Sequence, residues 1–381
     1  MIKLLNSLRL QWFLISRSFG FSLDYIDQLY RIYLNHSKII HFRNGAPVYS
    51  LSTPALYSKP MINLMARTFY RTAQNKNLPN LLSFAVNDTC NANCKNCSFF
   101  NGVNDPTRKK LTLPQIKKII HDAQEIGTVM INFVGGEPLL SPDLPAMIES
   151  VNKDLSATTL FTNGWFLEEK AQQLKDCGLD GVYVSLDSSE LIIHDQIRGK
   201  AGLFKKAVKG IEASLEAGLS TGISMVIDRD GFNKGELTNM IEFGKKIGIH
   251  EILVFDAVPT GRISEREDLL GNQEWIEEMI QSVNKYNKDN QYPGILIYAY
   301  TTSHRSLGCN GGTSYCYISP YGDMMPCDFN HKSFGNVVEE PFYRVWEKMS
   351  TSKPFCSATW GGCKMKDKVA RKKGYARTIH S

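Results

Sequence analysis

From residue 81 to about residue 290 the chain alternates short apolar runs with longer amphipathic ones, and no other feature restricts its fold as strongly. Apolar runs fall at 81–86 (LLSFAV), 128–134 (TVMINFV), 158–162 (TTLFT), 181–186 (GVYVSL), 221–227 (TGISMVI) and 251–255 (EILVF). Between them, 113–126, 166–178, 203–218 and 234–248 carry apolar residues at helical spacing, several ending at a glycine. Strands alternating with helices argue for repeated βα units and a parallel sheet. Six such units, with a last helix near 273–287, predict an α/β fold: an open, partial (β/α)6 TIM-like barrel. Reactive residues then belong in the loops after the C-terminal ends of the strands.

The flanks differ from this body. Residues 1–80 read as helical at first, then turn-rich around 43–54 (RNGAPVYSLSTP). Beyond 290, GILIYAY, TSYCYIS and DMMPC are short strand candidates, with PYGD supplying a turn. The expected division is a mainly helical basic extension at 1–80, the barrel at 81–290, and a small cysteine-rich α+β module with a basic tail at 291–381.

Charge follows the same division. The net charge is +6, yet residues 1–80 set ten Lys and Arg against Asp24 and Asp27, and residues 364–381 set seven against Asp367. Two basic ends therefore flank an acidic body. No run approaches the roughly 18 apolar residues of a membrane span. The first twenty residues are broken by Arg9 and Arg17 and lack a small-residue cleavage site, so a cytoplasmic location is expected. Leu4, Leu5, Leu8, Trp12, Phe13 and Ile15 interleave with Lys3, Arg9 and Arg17, the pattern of a helix lying at an anionic membrane surface. The competing expectation is a helical cap on the barrel, its basic face solvated or docked on the acidic body. No recognised fold or stacking motif points to nucleic acid.

The nine cysteines are odd in number and clustered, which argues against a disulfide framework and for metal. Cys90, Cys94 and Cys97 form C-x3-C-x2-C directly after the first strand. Such spacing lets one loop wrap a cubane iron–sulfur cluster, and three ligands leave one iron open for chemistry. A zinc knuckle completed by a distant residue fits the same spacing. Cys177, at a helix end, reads as core.

The loop DTCNANCKNCSFF, with Phe99 after the last thiol, resembles the radical S-adenosylmethionine superfamily. Gly135-Gly136-Glu137-Pro138, one βα unit later, is similar to that family's methionine-binding motif, and glycines there let backbone approach a ligand closely. The resemblance extends to about residue 262. It implies that Asn163, Ser185, Asp187 and Ser224 at the ends of later strands contact S-adenosylmethionine, that Arg198 meets its carboxylate, and that 259–262 (PTGR) lies near its adenine. It also implies a 4Fe–4S cluster that receives an electron from a donor such as flavodoxin or ferredoxin, cleaves S-adenosylmethionine, and yields a 5′-deoxyadenosyl radical that abstracts hydrogen from a substrate.

The segment from Cys309 to Cys327, followed by FGNVVEEPFYRVWEKM, resembles the auxiliary-cluster modules called SPASM and Twitch. A full SPASM module with two clusters needs seven cysteines, and five are present, so one auxiliary 4Fe–4S cluster is expected. Cys309, Cys327, Cys356 and Cys363 are the preferred ligands, with Cys316 as an alternative to Cys356 or as a buried thiol. The substrate is expected to be a small molecule or lipid-like. The alternatives are ribosomal-peptide maturation and, further off, a non-catalytic iron–sulfur or zinc protein. The first eighty residues lack the early hairpin of a winged-helix peptide-recognition domain.

Overall fold

The computed structural model describes residues 23–353, 355, 362–368 and 371. A short hairpin, β1 (His41–Arg43) and β2 (Ala46–Val48), precedes the barrel. All six expected barrel strands form: β3 (Leu81–Ala85), β4 (Met130–Val134), β5 (Ala157–Thr162), β6 (Gly181–Ser185), β7 (Ser220–Ile227) and β8 (Glu251–Asp256). Gly294–Ile297 adds β9, Tyr315–Ile318 adds β10, and Met324–Met325 adds β11. One sheet runs β11-β10-β3-β4-β5-β6-β7-β8-β9, parallel throughout except for the β10–β11 pair. The intervening helices match the expected segments, including Leu113–Ile126, Leu203–Glu216 and Glu236–Ile247.

Two features of this sheet depart from the sequence reading. Hydrogen bonding crosses residue 290: β9 pairs with β8, and β10 lies parallel beside β3 with Tyr317 opposite Ser83. The cysteine-rich segment therefore extends the barrel sheet at both edges. The stretch expected to be turn-rich contains the hairpin β1–β2. Asn44 and Gly45 both have positive φ, 52° and 79°, the backbone of a tight two-residue hairpin turn that Asn-Gly favours.

Strand residues alternate between two faces. Leu82, Phe84, Ile131, Phe133, Val182, Val184, Ile252 and Val254 point outward and join the helices in the main core. Burying each such side chain contributes about 1.5–3 kcal/mol. Ser83, Asn132, Phe161, Ser185, Ser224, Leu253 and Tyr317 face inward and line a cavity of about 380 Å³.

The N-terminal segment closes the floor of that cavity. Tyr49, Leu51 and Leu34 pack on Tyr183, Leu253 and Leu296. Leu51 N donates to Glu251 Oε2 (2.8 Å), and Thr159 Oγ1 donates to Leu51 O (3.1 Å). The described part of the extension is thus built into the barrel as a plug. Residues 1–22, which hold the amphipathic basic pattern, lie outside the described residues.

Candidate functional site

The three thiols of C-x3-C-x2-C sit on a loop that β3 delivers to the C-terminal mouth of the barrel. Cys90, Cys94 and Cys97 all line the central cavity. Each sulfur meets an N–H group. Ala92 N lies 3.4 Å from Cys90 Sγ, and Asn163 Nδ2 lies 3.9 Å from the same sulfur. Phe100 N lies 3.4 Å from Cys97 Sγ, and Arg198 Nη1 lies 3.8 Å from Cys94 Sγ. Donors aimed at sulfur are what cluster thiolates require around them. Burial pushes the Cys90 thiol up to about 11. The loop fits a cluster.

Gly135-Gly136-Glu137 braces that loop from behind. Gly136 N donates to Asn87 O (3.1 Å), Glu137 N to Thr89 O (2.7 Å), and Asn87 Nδ2 to Glu137 O (2.8 Å). A Cβ on Gly136 would fall 2.0 Å from Thr89 O, so only glycine allows this approach. The Glu137 carboxylate accepts from Thr162 Oγ1 (2.6 Å), Leu139 N (3.0 Å) and Asn163 N (2.8 Å). Burial raises its affinity for a proton, and these donors oppose the rise. Its side chain thus ties β4 to the end of β5.

The other residues implied by resemblance divide. Asn163, Ser185, Ser224 and Arg198 line the cavity, and Ser185 stands opposite Ser224 in the β6–β7 register. Asp187 does not reach the lining. It is buried behind Arg198, pairing with Arg198 Nε (2.8 Å) and accepting from Arg198 Nη2 and Val226 N (both 2.9 Å). The turn at 259–262 packs on the cluster loop: Gly261 lies against the carbonyls of Cys97 and Ser98, and Arg262 Nη1 donates to Cys94 O (2.8 Å).

The second cysteine group lies at the cavity's other end. Cys309 and Cys327 line it, and Cys363 is buried beside Val258 and Met365. Cys363 donates to Cys309, holding that thiol below its ordinary range. Tyr298 OH lies 3.7 Å from Cys363 Sγ. Cys356 falls outside the described residues. Cys316 points away: it is fully buried among the outward side chains of the main core. Its neighbours Tyr315 and Tyr317 face the cavity instead, because strand residues alternate. Cys316 thus lies on the opposite face of the sheet from the cavity. Cys177 packs partly buried against the same core.

Residues 85–244 match the Radical SAM superfamily, and residues 309–369 match the SPASM iron–sulfur cluster-binding domain. The chain belongs to the radical SAM superfamily. It is 29% identical to an AdoMet-dependent heme synthase of Methanosarcina barkeri over 71% of this chain and 83% of that one. It is 32% identical to a probable GTP 3′,8-cyclase of Methanococcus maripaludis strain C7, over 54% of this chain and 72% of that one. Streptococcus suis SuiB bound to S-adenosylmethionine shares the fold, with a TM-score of 0.63 at 17% identity, over 84% of this chain and 82% of that one. This radical SAM enzyme therefore binds 4Fe–4S clusters and S-adenosylmethionine.

Two cavity residues carry no signal in the motifs above. Asp328, next to Cys327, is buried on the lining, and burial pushes its carboxyl up to about 6. Its position directly after a cluster-ligand candidate was the available signal. Tyr317 is a second: its hydroxyl is buried without a hydrogen-bond partner, beside the same cavity.

Proposed function

We propose that this radical SAM enzyme abstracts hydrogen from a hydrophobic small molecule or lipid-like substrate, with Cys90, Cys94 and Cys97 holding the S-adenosylmethionine-binding cluster. Cys309, Cys327 and Cys363 would hold one auxiliary cluster together with Cys356. When bound, the first cluster supplies the electron that breaks the sulfur–carbon bond of S-adenosylmethionine, and hydrogen abstraction follows. Asn163, Ser185 and Ser224 orient the cofactor at the strand ends, and the aromatic walls keep water from the reacting centre.

The observation that carries the substrate class is the composition of the cavity wall. Phe99, Phe100, Phe161, Phe255, Phe329, Leu253 and Leu296 face it, and Leu307, 47% exposed, continues the apolar lining to the surface. Among the described lining residues the one cation is Arg198, already paired with Asp187. A nucleoside triphosphate, as the GTP cyclase relative would take, needs several free cations. An uncharged apolar body needs none.

The test is isotope transfer. Anaerobically reconstituted enzyme, S-adenosylmethionine and dithionite are incubated with lipid, nucleotide or peptide fractions from cells grown on deuterated medium. Deuterium in 5′-deoxyadenosine is expected from the lipid fraction. Transfer from the nucleotide or peptide fraction alone would overturn the substrate assignment.

A further inference from the structure

We propose that Arg198 is a positioning residue that raises the reduction potential of the cluster on Cys90, Cys94 and Cys97, by donating to the Cys94 sulfur while Asp187 locks its guanidinium. The inference rests on the cluster assignment above.

The arrangement is specific in its use of the arginine fork. Nε and Nη2 face Asp187, at 2.8 and 2.9 Å. Asp187 is itself fixed by Val226 N on β7 (2.9 Å). The planar guanidinium then has one outer nitrogen left, Nη1, and this is the atom 3.8 Å from Cys94 Sγ. The Nη2 hydrogen bond and the Nε ion pair to Asp187 hold one edge of the planar fork, and this sets the direction of the other edge toward the sulfur.

The backbone makes the pair a single unit. Arg198 ends the helix Leu191–Arg198. The last carbonyls of that helix accept from the cluster loop: Asn93 N donates to Arg198 O and Lys95 N to Ile197 O, both 3.0 Å. Gly199 follows at φ 60°, where a Cβ would sit 2.5 Å from Asn93 O. The residues flanking Cys94 are therefore pinned to the residue whose side chain reaches it.

Reduction adds one negative charge to a cluster, and a hydrogen-bonded cation at a ligand sulfur favours the reduced state. Asp187 lies behind the guanidinium, so its opposing charge is the more distant one. With two of its three nitrogens engaged by Asp187, Arg198 is less free to serve the cofactor carboxylate than the resemblance implied.

The experiment measures the midpoint potential of the reduced-cluster EPR signal that changes shape on adding S-adenosylmethionine, in full-length reconstituted protein without the cofactor. Arg198→Gln is expected to lower the reduced-to-oxidised ratio at fixed potential at least tenfold, a shift of 59 mV for one electron, with iron content unchanged. Arg198→Lys keeps a charge without the fork and is expected to fall between Gln and wild type. Arg262→Gln removes an equal charge that bonds the Cys94 carbonyl rather than its sulfur, and is expected to shift the potential less. An unmoved potential in Arg198→Gln, or an equal fall in Arg262→Gln, would overturn the inference. If Arg198→Gln fails to retain iron, Arg198→Lys carries the test, and a wild-type potential there overturns it. A wild-type chain lacking any cofactor-responsive signal would instead remove the cluster assignment itself.

Discussion

Tyr183 on β6 donates a 2.5 Å hydrogen bond to Glu251 on β8 at the floor of the barrel. Glu251 also accepts from Leu51 N, so one buried carboxyl joins two strands to the N-terminal plug. Burial is the largest influence on it and pushes it up to about 7, against the hydrogen bonds from Tyr183 and Leu51.

A stability change with pH follows. Between the unfolded value near 4.3 and the folded value near 7, the folded chain holds a proton that the unfolded chain has lost. This group therefore supports the fold at low pH and loses that support as pH rises toward and through 7. Buried His36 and His250, pushed down to about 3 and about 4, act in the opposite direction below pH 6.5. Comparison with Glu251→Gln cancels their effect. The thermal midpoint of the variant should gain on wild type between pH 5 and pH 8. A constant difference would show that Glu251 does not titrate in this range.

Iron content tests the two groups of cysteines. Reconstituted wild-type protein should hold about eight irons, four per 4Fe–4S cluster. Replacing Cys90, Cys94 and Cys97 by alanine should leave about four and abolish 5′-deoxyadenosine formation. Undiminished cleavage of S-adenosylmethionine in that variant would sink the assignment.

Much of this molecule was legible in its sequence because its strands are short, densely apolar runs, interrupted at cavity-facing positions such as Ser83 and Asn132, set between amphipathic helical stretches. The six strands from Leu81 to Asp256 were found that way. What escaped were long-range pairings, which no local pattern encodes: β10 beside β3, β9 beside β8. The same limit applied at the site. The motif and the resemblance pointed to Cys90, Glu137 and Ser185, but the direction of the Asp187 carboxylate depends on an arginine eleven residues away at the far end of a helix. The face of Cys316 depends on a register that only the assembled sheet sets.

That register gives a third prediction. Cys316→Ala should leave iron content and EPR spectra unchanged and cost about 1 kcal/mol from lost packing. Cys327→Ala should remove the auxiliary cluster. Loss of iron in the Cys316 variant would mean that the sulfur reaches the cavity side of the sheet.

Glu137 and Ser185 should separate cleanly. Ser185→Ala deletes one hydroxyl facing the cavity, at a cost of about 1–2 kcal/mol in cofactor affinity, or roughly tenfold. Glu137→Ala deletes the acceptor for Thr162, Leu139 and Asn163 and leaves those donors unpaired. Its thermal midpoint should fall as well as its affinity for S-adenosylmethionine. Equal stability in the two variants would show that the Glu137 carboxylate is not a brace between β4 and β5.

The last prediction concerns the basic extension. Tyr30, Leu34, Tyr49, Leu51 and Leu56 are taken up by the barrel plug, so membrane contact by the extension would use its outward-facing residues. Leu29 and Ile32 on the helix Leu23–Leu34 are 49% and 60% exposed, and the residues preceding them carry the interleaved basic and apolar pattern. Among the described residues no helix is long and apolar enough to cross a membrane. Each Lys or Arg near an anionic leaflet contributes about 1 kcal/mol, and salt screens that attraction. Full-length protein should therefore pellet with phosphatidylserine-containing vesicles at low salt and be released at high salt. Replacing Lys3, Arg9 and Arg17 by glutamine should weaken pelleting without altering cluster content. Protein that stays in the supernatant at low salt, with its clusters intact, would exclude the membrane surface as a partner.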